Sequence, residues 1–161
     1  MRHVLSVLVE NEPGVLARVA GLFCGRGFNI ESLNVAPALE ENVSQVSIVT
    51  SGDDFVYEQI VKQLRKLVTV IKVVTYENCS FVERETMLLR VHADDNKRSE
   101  VLRIAEIFHC KVVDVGLTDL TLEISGNHEK FQAVLTLLSK FGIKDMARTG
   151  SVVMRRSLQP E

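Results

Sequence analysis

Two halves of this chain carry the same order of apolar patterns, and that repetition limits the available folds more than any other feature. In the first half, residues 3–10 form an apolar run broken by Ser6, which reads as a strand. Val15, Leu16, Val19, Leu22 and Phe23 fall on one helical face, and Gly25-Arg26-Gly27 ends that helix. Residues 28–36 read as a strand, as do residues 43–50 after the polar turn Glu40-Glu41-Asn42. Ser51-Gly52-Asp53-Asp54 caps a helix marked by Val56, Ile60, Leu64 and Leu67, and residues 68–76 are a β-branched strand. The second half repeats the order. Met87, Leu89 and Val91 alternate as a strand, and Val101, Leu102, Ala105 and Phe108 form a helical stripe after Asp94-Asp95-Asn96. Residues 111–115 and 120–125 are strands, the latter with Leu120, Leu122 and Ile124 facing inward. Phe131, Val134, Leu135, Leu138 and Phe141 mark the last helix, and residues 143–154 are extended.

Each half is therefore β-α-β-β-α-β, giving an α+β chain of two ferredoxin-like domains. The boundaries are residues 1–77 for the first domain and 86–161 for the second. Residues 78–85, which lack a clear period, form the linker. About 75 residues is small for an independent core. Helix-free sheet faces or edges are therefore expected to pair between subunits, which predicts an obligate homodimer.

Charge and cysteine usage narrow the function classes. A net charge of −2 supplies no basic field for nucleic acid or an anionic membrane. The three cysteines, Cys24, Cys79 and Cys110, are far apart and odd in number, which suits a reducing, cytoplasmic compartment. The apolar run after Met1-Arg2-His3 is too short for a signal peptide or a membrane span. His3, His92, His109 and His128 show no metal-ligand spacing, so no metal site is expected. A nucleophile elbow, a P-loop and a dinucleotide glycine fingerprint are all missing, so no catalytic residue is assigned. The strand around Gln45 lacks the exposed aromatics of an RNA-binding sheet. The scattered arginines of the second half, from Arg84 to Arg156, read mostly as solvated charges, with an acidic partner protein as the alternative for some of them.

One loop stands out against this background. The first strand stops at Glu10-Asn11-Glu12, Pro13-Gly14 turns the chain, and a helix starts at once. A helix N-terminus presents free backbone N–H groups, which can receive an anion. The two acidic residues disfavour phosphate and suit a small zwitterion better. Asn11 can both donate and accept, Gly14 permits close approach, and Asn29 is a polar amide among Phe28, Ile30 and Leu33. A solvated Pro-Gly turn and a turn-capping Asn29 are the plainer readings of the same residues.

Glu10-Asn11-Glu12-Pro13-Gly14-Val15-Leu16 resembles the first-loop signature of ACT domains, regulatory modules that bind amino acids. The run from Arg26-Gly27-Phe28-Asn29-Ile30-Glu31-Ser32-Leu33 to Pro37 resembles the small, regulatory subunits of acetolactate synthase (acetohydroxyacid synthase). So do residues 58–67, the linker Val82-Glu83-Arg84-Glu85, residues 108–114 and Ala147-Arg148-Thr149-Gly150. The resemblance spans essentially the whole chain. It implies an N-terminal ACT domain and an ACT-like C-terminal domain with no catalysis of their own. The expected partners are the large catalytic subunit, a second copy of this chain, and valine as feedback effector in branched-chain amino-acid synthesis. Thiamine diphosphate, Mg and FAD are expected only in the catalytic partner. In that family valine sits at the ACT dimer interface. By resemblance its site takes Asn11, Gly14, Val15 and Leu16 from one subunit and Asn29 and Ile30 from the other, with Val35, Ala36 and Gln59 as pocket or coupling residues. The alternative is a free-standing ACT-type sensor acting on a transcriptional or signalling partner.

Overall fold

A computed structural model describes residues 1–77 and 79–157. The chain divides into two compact units: Met1–Val82 together with the segment from Gly150 onward, and Glu83–Thr149. The first unit contains β1 (Arg2–Glu10), α1 (Val15–Cys24), β2 (Asn29–Pro37), β3 (Val43–Ser51), α2 (Asp54–Leu64) and β4 (Val70–Thr75). Its sheet has the order β2-β3-β1-β4, and every neighbouring pair is antiparallel.

Alternation along the strands decides which side chains meet the helices. Leu5, Val7 and Val9 of β1 and Val46 and Ile48 of β3 pack with Val15, Val19 and Phe23 of α1 and Tyr57, Ile60 and Leu64 of α2. The Asp53 side chain caps α2, accepting from Phe55 N–H at 2.9 Å, as the acidic run predicts. The opposite face of this sheet is not left bare. Val4 and Val49 cluster there with Tyr76 and with Val153 from the C-terminal segment, and Cys79 and Phe81 pack against them. Part of the surface expected to pair between subunits is thus covered by residues of the same chain.

The second unit is built on β5 (Phe81–His92), α3 (Arg98–Ile107), β6 (Lys111–Val115), β7 (Asp119–Gly126), α4 (His128–Ser139) and β8 (Ile143–Arg148). Its strands run β6-β7-β5-β8. Leu120, Leu122 and Ile124 face in as the alternation requires, packing with Met87, Leu89, Val101, Phe131 and Leu138. Each unit is βαββαβ, the ferredoxin-like plan.

Two local readings differ from the structure. The stretch expected as a linker is strand from Phe81 on, and Asn78 within it lies outside the described residues. Its charged residues conceal the strand: Glu83 and Glu85 sit at inward positions, and Glu85 is buried because Arg148 Nη2 donates to its carboxylate at 2.6 Å. The segment after Thr149 groups with the first unit, although it follows the second in sequence.

Candidate functional site

The loop after β1 is held from both sides. Glu10 N–H donates to the Thr69 carbonyl at 2.9 Å, and Asn11 N–H donates to the Asn42 carbonyl at 2.8 Å. Gly14 then adopts φ +85°, a left-handed conformation in which a side chain is strained. It is the N-cap of α1, and no side chain caps that helix. Among the described residues the N–H groups of Gly14, Leu16 and Ala17 have no partner. Such orphan donors at the positive end of a helix favour an incoming carboxylate. Val15 is buried and anchors the helix to the core, whereas Asn11, Gly14 and Leu16 are exposed.

Asn29 and Ile30 open β2. Thr50 Oγ1 donates to the Asn29 carbonyl at 2.6 Å, and the Asn29 side chain is exposed. Register fixes where these residues lie relative to the loop. Glu10 is opposite Val43 on β3, whereas Asn29 is opposite Ser51. The loop and Asn29 therefore occupy opposite ends of β3, about 26 Å apart along the strand at the usual rise per residue. One chain does not bring them together. Val35 and Ala36, opposite Val46 and Gln45, lie nearer the loop end, with Val35 on the helix-covered face and Ala36 on the other. Gln59 is half-buried on α2.

Of the histidines flagged by the sequence, His3 is the most tightly held. His3 is 3% exposed, stacks on Tyr57 at 4.1 Å, and faces Glu77 at 2.9 Å and Asp54 at 3.3 Å. Burial, together with the Glu77 charge, pushes the Tyr57 phenol far above its ordinary pKa. A cleft of about 410 Å³ in the first unit is lined by His3, Asp54, Glu58, Tyr76 and Phe81 among others, and by none of the predicted effector residues. Among the described residues no group of three or more His, Cys, Asp or Glu side chains could hold a metal ion. No described helix is long and apolar enough to cross a membrane.

Sequence reasoning missed one contact that joins β2 to the C-terminal segment of the first unit. Ser151 N–H donates to Ser32 Oγ at 2.9 Å. The partners are 119 residues apart, so no local pattern could reveal it.

Comparison with known proteins agrees with this architecture. Residues 5–72 match the family described as AHAS small subunit-like ACT domain, and residues 84–157 match the family described as small subunit of acetolactate synthase. The acetolactate synthase small subunit of Aquifex aeolicus is 48% identical over 98% of this chain and 82% of its own length. That of Mycolicibacterium smegmatis is 46% identical over 96% of this chain and 91% of its own. The crystal structure of the small subunit from Thermotoga maritima superposes with a TM-score of 0.85 at 40% identity, covering 97% of this chain and 98% of that one. Identity of this order, spread over both βαββαβ units, places the chain in the family of acetolactate synthase small subunits.

Proposed function

We propose that this chain, as a regulatory small subunit, binds and activates the catalytic subunit of acetolactate synthase and makes it sensitive to valine. The observation that carries the effector half of the reading is the uncapped start of α1, where Gly14 leaves open space and N–H groups lack partners. A valine carboxylate fits those donors. The amide oxygens of Asn11 and Asn29 can accept from its ammonium, and Ile30 and Val35 offer apolar surface to its isopropyl group. Because Asn11 and Asn29 stand at opposite ends of β3, a site using both needs a second chain, and a homodimer supplies it. An effector bound across two chains can favour one arrangement of the pair over another, which is what feedback control requires. In this reading thiamine diphosphate, Mg and FAD belong to the catalytic partner.

The test is reconstitution. The tagged chain is expected to retain a thiamine-diphosphate-dependent enzyme from cell extract, and adding the chain to the purified catalytic subunit should raise its activity. Valine should reverse that rise, and calorimetry should register valine binding to the small subunit alone. Recovery of a DNA-binding protein instead, with no effect on acetolactate formation, would overturn the reading in favour of a free-standing sensor.

A further inference from the structure

Strand β2 runs from the proposed effector residues to the place where the C-terminal segment docks. Ser32 Oγ accepts from Ser151 N–H at 2.9 Å, and Ser151 is 1% exposed. One residue earlier, Gly150 lies so close to β2 that an added Cβ would stand 2.5 Å from the Leu33 carbonyl oxygen and 2.9 Å from Asn34 N. Only glycine fits there, because both obstacles are backbone. Two residues further on, Val153 is buried against Val4, Val49 and Tyr76 on the helix-free face of the first sheet. Gly150 and Ser151 thus sit against β2, and Val153 holds the same segment to β1 and β3.

The strand itself is irregular at one point. Its register shifts between Ile30 and Ser32, so Glu31 is an extra residue, a bulge. The bulge separates Asn29 and Ile30 from Ser32. The Asn29 end is pinned by Thr50, and β2 is an edge strand with one neighbour, β3. Movement of Asn29 is therefore absorbed or passed on at the bulge. What passes on reaches the Leu33 carbonyl and the Ser32 hydroxyl, which meet Gly150 and Ser151 with no slack, and close-packed contacts transmit small displacements.

We propose that Ser32 and Gly150 are positioning residues that couple the Asn29–Ile30 end of β2 to the C-terminal segment, so that effector occupancy is felt at residues 150–153. The proposal rests on the valine reading above. Neither residue touches the effector. Their role is to make valine affinity depend on how the C-terminal segment is seated, and coupling of this kind is reciprocal.

The experiment compares wild type, Ser32→Ala, Ser32→Thr and Gly150→Ala in two assays: calorimetric valine binding to the small subunit alone, and valine inhibition of the reconstituted enzyme. Ser32→Ala should bind valine with an affinity within about twofold of wild type and activate normally without valine. Its coupling between valine and inhibition should fall about fivefold, the weight of one neutral hydrogen bond. Ser32→Thr keeps the hydroxyl and should restore inhibition, an outcome that a purely structural role would not produce. Gly150→Ala, if folded by its melting curve, should resemble Ser32→Ala. Full inhibition in Ser32→Ala, or loss of binding in parallel with inhibition, overturns the coupling role while leaving the valine reading intact. A wild-type protein that binds no valine overturns that reading, and this proposal with it.

Discussion

Arg148 of β8 donates to the Glu85 carboxylate of β5 at 2.6 Å, and the Glu85 side chain is only 3% exposed. The guanidinium also lies 5.3 Å from the centre of the Phe131 ring. Removing it takes a charged partner from a buried carboxylate, which is more damaging than losing a surface ion pair. Arg148→Ala should lower unfolding stability by about 1.5–3 kcal/mol, the weight of a hydrogen bond to a charged group, read as a fall in urea midpoint at constant slope. The double variant Arg148→Met, Glu85→Leu should recover much of that loss. A single variant as stable as wild type would mean that the remaining contacts of Glu85 suffice to hold its carboxylate.

The register of the first sheet gives a sharper test of the proposed site. Asn11→Ala and Asn29→Ala should each weaken valine inhibition, by roughly ten- to a hundredfold for lost hydrogen bonds to a charged ammonium. Mixed dimers of the two single variants should regain half of the wild-type sites, because one of the two composite sites then has both asparagines. Titration of valine into the purified mixed dimer checks this. No recovery would place both asparagines in one chain's site or outside it altogether.

Gly14 carries the second local prediction. Its φ of +85° is strained for any L residue, although nothing lies within 4 Å of an added Cβ. Gly14→Ala should therefore lose about 1 kcal/mol, lowering Tm by about 2–4 °C. Gly14→Asn should lose less, since asparagine tolerates this backbone region. Gly14→Asp adds a carboxylate beside the N–H groups that valine is proposed to occupy, so calorimetric binding should disappear at a modest loss of Tm. Equal stability of the Ala and Asn variants would show that the backbone relaxes there.

A pH dependence follows from Asp119. The hydrogen bond from Lys144, 2.9 Å long, holds the Asp119 carboxyl below the usual carboxylate range, against a smaller upward push from burial. A carboxyl with a depressed folded pKa stabilises the fold above its unfolded value, near 3.9, and that contribution is lost as pH falls through the folded value. Lys144→Met should raise the Asp119 pKa in a carbon-detected NMR titration. It should also flatten the decline of Tm with pH below about 4.

Much of the fold was legible because both sheets present one face to helices. Leu120, Leu122 and Ile124 alternate cleanly, and the stripes of α1 and α2 have helical spacing, so local period named the elements. The run from Phe81 to Glu85 was not legible as strand, since its inward positions hold glutamates whose burial depends on a partner such as Arg148. Residues of the candidate loop were legible from Pro13-Gly14 and its acidic neighbours. The distance between Asn11 and Asn29 was not, because it depends on both strands sharing β3 as a neighbour. The bulge at Glu31 sits in a strand pattern with no glycine or proline to announce it.

The second unit interrupts the first: the chain leaves at Val82 and returns at Gly150. During translation, residues 150–153 are made only after the whole of the second unit. Ribosomes add about 5–20 residues per second, so the nascent first sheet waits several seconds before Val153 can join Val4, Val49 and Tyr76. The earliest-made unit is therefore the last to be completed, and until then part of its helix-free face is open to chaperones and to other copies of the chain.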